Sequence, residues 1–153
     1  MDRRTAAVWG GVAAGVLTTA VMWAGRRSGA LTKTLDRDSV DWMDRTMGTR
    51  AVIGDAGTSV VEFGNHLGAS ALFGYGYARL REQAPDWPDW LLGGLYGAGL
   101  YAVNIAGIAP RLGITEGEVA AGPRKAGERL GLHLLQTVAT AVIAERVLAP
   151  QEA

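Results

Sequence analysis

The sequence predicts an all-α membrane protein with four transmembrane helices, arranged as two helical hairpins in parallel repeat. Three observations carry this expectation. Residues 5–25 and 90–110 are two runs of 21 residues without a charged side chain, and about 20 residues rising 1.5 Å each cross a bilayer. Hydrophobic residues make up 48% of the chain, and its charge, zero in sum, falls mostly in loops and at the ends. Residues 62–79, EFGNHLGASALFGYGYAR, recur as residues 129–146, RLGLHLLQTVATAVIAER. At that constant offset Gly64 falls on Gly131, His66 on His133, Ser70 on Thr137, Gly74 on Ala141 and Arg79 on Arg146.

The first span, 5–25, follows Asp2, Arg3 and Arg4. It is too long for the apolar region of a signal peptide, and Arg26-Arg27 stand where a small-residue cleavage site belongs, so a retained span is expected. Gly11 and Gly15 form a GxxxG beside Gly10, Ala13 and Ala14, a face that lets helix backbones approach closely. Residues 26–57 mix Asp36, Asp38, Asp41, Asp44 and Asp55 with Arg37, Arg45 and Arg50. Val40, Met43 and Met47 recur at helical spacing, which predicts an amphipathic helix at the membrane interface, with Trp42 at headgroup depth and Asp38 or Ser39 as its cap. Its charges are expected to pair on a solvated face. The aspartates lack the D-x-D-x-D-G order and closing glutamate of a calcium loop.

The second span is expected over 58–79. Only the 16 residues between Glu62 and Arg79 lack charge, so the helix has to begin near Thr58 or Ser59 to reach across. Glu62 then lies one turn inside and His66 one turn deeper on the same face. Pro85 and Pro88 end this unit, and Tyr75, Tyr77, Trp87 and Trp90 are read as an aromatic belt. In the third span, 90–110, GGLYGAGL (93–100) matches GGVAAGVL (10–17), Gly93 and Gly97 repeat the GxxxG, and Arg111-Leu112-Gly113 matches Arg27-Ser28-Gly29. Asn104 is expected to be buried there against a facing backbone group or threonine hydroxyl. The fourth span, 127–147, is polar at its start (Glu128, Arg129) and apolar to Ala144.

Two units that each cross twice have the same orientation and are related by an axis along the membrane normal. His66 and His133 then share a depth, and Glu62, Asn65, His66, Arg129, His133 and Gln136 form an intramembrane polar cluster. Glu62 falls opposite Arg129, an acid against a base, which predicts an ion-pair clasp between the hairpins. Gly11, Gly15, Gly93 and Gly97 are the expected helix-packing positions. Ten Lys and Arg residues follow the first and third spans against five on the other side, which places loops 26–57 and 111–126 inside.

The Gly/Ala-rich first span with its Thr18–Val21–Met22 end, the second span with histidine, small residues and a Gly74-Tyr75-Gly76-Tyr77 finish, the Gly93-Gly94 run and the Pro110-Arg111-Leu112-Gly113 exit resemble the small YagU-like inner-membrane proteins of bacteria. The resemblance implies a four-helix, multi-pass protein of the inner (cytoplasmic) membrane and carries over no catalytic residue.

Function is bounded mainly by exclusion. The chain has no cysteine, which removes disulfides, thiolate metal sites and cysteine nucleophiles. Zero net charge gives no reason to expect a nucleic-acid partner. No Ser-His-Asp order, H-E-x-x-H or P-loop is present. The expectation is therefore a non-enzymatic structural, scaffolding or accessory membrane subunit, partnered by the lipid bilayer and forming a homodimer or larger membrane complex. Two alternatives stand beside it. Intramembrane Glu, His, Asn and Gln line proton or small-solute paths. Two histidines at one depth are also a ligand set for haem b, although no cofactor or metal is expected on the leading reading.

Overall fold

The computed structural model describes residues 1–148, which are helical with no strand among them. The elements are α1 (Arg3–Arg27), α2 (Leu35–Met47), α3 (Thr49–Gln83), α4 (Asp89–Leu100), a π-helical stretch (Tyr101–Ile108), α5 (Ala109–Arg111) and α6 (Glu118–Leu148). Two helical stretches are long and apolar enough to cross a membrane, Arg3–Arg27 and Asp89–Arg111.

Asp2 starts α1 by accepting from the Thr5 amide at 2.9 Å and the Thr5 hydroxyl at 2.8 Å. α1 and α5 stop in the same way. Ser28 and Leu112 remain right-handed, Gly29 and Gly113 follow at φ 73° and 72°, and each glycine amide donates three residues back, to Arg26 O and Pro110 O. Glycine suits these places because the left-handed turn carries no Cβ penalty there.

Both long second helices differ from their expected bounds. α3 opens at Thr49 and is broken at Gly54 (φ 66°, ψ −179°), and α6 opens at Glu118 and is broken at Gly122 (φ 83°, ψ 166°). That backbone region belongs almost solely to glycine. Each continuous helix therefore begins just after its glycine, several residues ahead of the expected starts at 58 and 127, and Pro123 occupies a first-turn position where its missing N–H costs nothing. α2 is a helix as expected, but Thr34 stands at its N-cap in place of Asp38 or Ser39.

Small residues set the packing. A Cβ on Gly11 or Gly15 would run into Ser70 of α3, and one on Gly74 into the Ala7 carbonyl of α1. In the second pair, a Cβ on Gly93 would meet Thr137 and Ala141 of α6, and one on Gly97 would meet Thr137 and the His133 carbonyl. All four expected glycines thus lie at helix–helix contacts, and the two GxxxG motifs meet equivalent partners. The octapeptide match 10–17 on 93–100 is one residue out of step with this packing, in which Gly11 is the counterpart of Gly93. The contacts run antiparallel within each pair, as the Arg4–Glu82 ion pair at 2.9 Å also shows for α1 and α3. α1 packs along α6 as well, with Gly10 against Thr140 and Ala144, whereas α3 and α4 barely touch. A twofold arrangement would make those two contacts alike, so the inter-hairpin packing is not symmetric. The buried centre is Ala7, Tyr77, Ala78, Leu92, Ala141 and Ala144. Tyr77 belongs to that core and not to an aromatic belt, with its hydroxyl lacking a hydrogen-bond partner among the described residues, while Tyr75, Trp87 and Trp90 are exposed.

The π-helical stretch has a cause in the sequence. Pro110 has no N–H to give to the carbonyl four residues back, and its ring crowds that carbonyl. The backbone widens ahead of it, and the Ala109 amide reaches five residues back to Asn104 O.

Candidate functional site

Glu62 and Arg129, expected to clasp the hairpins together, do not pair. Arg129 is 3% exposed. It donates from Nη1 to Glu118 Oε1 at 2.6 Å and from Nη2 to Asp38 Oδ2 at 3.1 Å, and Glu116 lies 3.7 Å away. Glu62 instead accepts from Arg37 Nη1 at 3.4 Å. The reason is α2, which lies on α3 and reaches α6 through Asp38. Lys33 Nζ bridges Asp38 at 2.9 Å and Asp41 at 2.7 Å, and Arg37 Nε stands 3.6 Å from Asp41. Glu62 and Arg129 are thus the ends of one chain of alternating charges, through Arg37, Asp41, Lys33 and Asp38. The Lys33 ammonium holds the Asp41 carboxyl below the usual carboxylate range. Burial alone would lower Lys33, but Asp41 and Asp38 raise it above its ordinary value. Asp38 is buried, so this helix does not confine its charges to a solvated face. Val40 is buried too, while Met47 is exposed.

Beneath the first turn of α2 lies a cavity of about 210 Å³ whose accessible surface is mainly apolar, although polar and charged side chains also border it. Met22, Leu31, Leu35, Phe73, Ile105 and Leu132 supply much of its wall, and both His66 and His133 reach it. It opens between α1, α3, the π-helical stretch and α6, where α3 and α4 diverge. The structure brings the two histidines to one void but gives them different surroundings.

His66 Nδ1 stands 3.2 Å from Asp36 Oδ2, and Nε2 stands 3.1 Å from the Gly15 carbonyl. Both neighbours are acceptors, and the ring satisfies both only as an imidazolium. His133 Nδ1 lies 2.8 Å from the Arg129 carbonyl, so this nitrogen carries the proton. Nε2 of the neutral ring is then a bare acceptor, and no hydrogen bond reaches it among the described residues. The Tyr101 ring meets His133 edge-on, with centroids 6.1 Å apart, and the Tyr101 hydroxyl donates to Glu118 Oε2 at 2.5 Å. That contact locks the ring plane to the carboxylate that also holds Arg129.

Gln136 is buried and bridges α6 to α1. Its Nε2 donates to Gly11 O at 3.0 Å, and its Oε1 accepts from the Thr18 hydroxyl at 2.8 Å. Asn65 stands apart from the cluster. It is exposed, with Nδ2 3.9 Å from Met43 Sδ. Asn104 is partly exposed and lines the cavity, without the backbone or threonine partner expected for it among the described residues.

A second void of about 230 Å³ lies on the other side of His66, lined by Thr19, Arg26, Ser59, Glu62 and Phe63. Met22, Thr34, Asp36 and His66 border both voids. No group of three or more metal-ligating acids and histidines occurs among the described residues. The arrangement also does not suit bis-histidine haem, because both His66 nitrogens already face partners and the cavity is smaller than the roughly 300–1,000 Å³ usual for drug-sized ligands.

The sequence singles out Arg129, His66, His133 and Gln136, but does not mark as their partners Asp36, Asp38, Glu118 and Thr18, which these side chains meet in the structure. The available signal was the first-turn position of Asp36 and Asp38, where aspartate favours a helix N-terminus. Comparison with protein-family models, with curated proteins and with solved structures finds no match to this chain.

Proposed function

We propose that the chain is a four-span, multi-pass protein of the inner membrane, built as two hairpins of the YagU-like kind and acting as an accessory subunit and not as an enzyme. One observation carries this reading. The outer faces of the helices expose Val16, Leu17 and Val21 of α1, Leu72 of α3, Leu95 of α4 and Val103 of the π-helical stretch. Exposed Trp9, Tyr75, Trp87 and Trp90 stand toward one end of the helices, and Trp23, stacked 4.7 Å from the Arg27 guanidinium, toward the other. Apolar flanks with aromatic ends suit a bilayer. α3 and α6 support it despite their charges, because Glu62 is turned to Arg37 and Arg129 is buried among carboxylates. A homo-oligomer would use Gly64 and Gly68, where an added Cβ meets no neighbour within 4 Å.

The chain's lack of cysteine makes the test direct. Single cysteines at Arg3, Thr46, Asp86 and Leu112 are treated with a membrane-impermeant maleimide in intact and permeabilised cells. Arg3 and Asp86 should react from outside, and Thr46 and Leu112 only after permeabilisation. Labelling of Thr46 and Asp86 from the same side would remove the second span and the proposal with it.

A second reading, a proton or small-solute path, is supported by the His66–Asp36 pair standing between the two voids. Opening that pair would join a void edged by Arg26 and Glu62 to the apolar cavity. Proton or solute flux into liposomes, abolished by His66→Leu, tests it.

A further inference from the structure

The apolar cavity combines features that packing alone does not require. Its accessible surface is mainly apolar, with Met22, Leu31, Leu35, Phe73, Ile105 and Leu132 in the wall beside polar residues such as Thr18, Glu128 and Gln136. Its volume of about 210 Å³ exceeds the roughly 150 Å³ that suffices to hold benzene in a dry apolar void. Into this wall the fold sets an acceptor that has no donor among the described residues, His133 Nε2. The tautomer is fixed from behind by Nδ1 donating to the Arg129 carbonyl at 2.8 Å, and the ring plane by Tyr101 at 6.1 Å. Nε2 is not among the side-chain atoms sealed by packing without a partner, so it is open to an incoming group. An accessible acceptor facing a largely apolar wall is a place for an incoming donor, a role that otherwise falls to water. Asn104 lines the same void with its amide unbonded among the described residues, and it sits on the π-helical stretch, a distortion frequent at functional sites.

We propose that this cavity binds the hydroxyl-bearing ring of a small, uncharged aromatic molecule, with the hydroxyl donating to His133 Nε2 and the ring held among Phe73, Met22 and Ile105. Charge argues against an ionic ligand. Arg129 and Lys33 are each held by two carboxylates within 3.1 Å, and Asp36 is engaged by His66. Size limits the buried part to about one ring. An acyl chain end would fill the void yet leave Nε2 bare, whereas a phenolic hydroxyl supplies the missing donor. Two sources offer this chemistry, the head of a membrane quinol and a free phenol.

Calorimetric titration of the full chain in mild detergent tests the proposal with phenol, anisole and a quinol bearing one isoprenoid unit. Phenol should bind about fivefold more tightly than anisole, which has lost the donor, since one neutral hydrogen bond is worth about 1 kcal/mol. His133→Leu should bring the two affinities together while anisole binding persists. Ile105→Trp should abolish both. Because Ile105 is 2% exposed and its replacement can unfold the chain, Ala69→Phe at the cavity wall serves as the second filling variant. Competition of the quinol with phenol assigns the site to a membrane quinol, and its failure to compete assigns it to a soluble phenol. Absence of phenol binding, equal affinity for phenol and anisole in the unaltered chain, or phenol binding that survives Ala69→Phe in a folded protein would each overturn the proposal.

Discussion

Removing the Arg129 charge separates two accounts of what joins the hairpins. In the structure Arg129 meets Asp38 at 3.1 Å with side-chain exposures of 3% and 8%, and Glu118 at 2.6 Å. Breaking a buried pair by deleting one partner costs about 3–5 kcal/mol. Lys33 still holds Asp38 at 2.9 Å, and Tyr101 still holds Glu118, so Arg129→Gln is expected at the lower end, about 3 kcal/mol. Glu62→Gln removes a 3.4 Å contact to an arginine 36% exposed, worth about 0–1 kcal/mol. A double-mutant cycle sharpens the contrast. Asp38→Asn with Arg129→Gln should show a coupling of about 1–3 kcal/mol, and Glu62→Gln with Arg129→Gln should be additive within about 0.5 kcal/mol. Equilibrium unfolding in mixed detergent, followed by helical circular dichroism, gives all the values required. A Glu62–Arg129 coupling as large as the Asp38–Arg129 coupling would refute the placement of α2 and restore the direct clasp.

Gly74→Ala, whose Cβ would overlap the Ala7 carbonyl, should lose about 1–3 kcal/mol, while Gly64→Ala, with open space around it within one chain, should be neutral or slightly stabilising for the monomer by melting temperature. Gln136→Leu cuts both bonds from α6 to α1 and should cost about 1–2 kcal/mol, near the upper range for interhelical hydrogen bonds in membranes; a wild-type melt would show that apolar packing alone joins those helices. The Asp41 carboxyl is held low in the folded state by Lys33, so its contribution is complete above its unfolded value of about 3.9 and is lost as pH falls through the folded value. Amide exchange in α2, corrected for intrinsic rates, should therefore accelerate below about pH 3.9, and Asp41→Asn should exchange faster at neutral pH with a weaker acid response.

The part of the fold that close packing dictates was legible in the sequence. Helices can approach at a glycine face only if the partner is small there. The residues that match across the repeat, Ser70 with Thr137 and Gly74 with Ala141, are the ones against which Gly11, Gly15, Gly93 and Gly97 pack. The breaks at Gly54 and Gly122 also left a trace, since Gly122-Pro123 pairs a permissive residue with a helix-starting one. The π-helical stretch was foreshadowed only by Pro110, and no periodicity distinguishes a widened turn from an ordinary one. Side-chain partners were less accessible still. Arg129 meets three carboxylates 11 to 91 residues away, and which of them it meets depends on where α2 folds back.

That dependence also explains why an acid stands opposite a base in two otherwise similar helices. In the first hairpin the segment between its long helices supplies Arg37, which faces Glu62 near the start of α3. In the second hairpin the connecting segment leads into Glu118, which faces Arg129 in α6. Each equivalent site is compensated from within its own hairpin, with the signs exchanged between the two. Opposite charges at matched positions therefore need not reflect attraction across the repeat, because either sign is tolerated wherever the adjoining segment provides its complement. The cross-hairpin bond falls to Asp38, which belongs to α2, and the short connection of the second hairpin holds no equivalent helix. α2, which has no counterpart in the second hairpin, thus both sets the two hairpins apart and borders the cavity that His66 and His133 share.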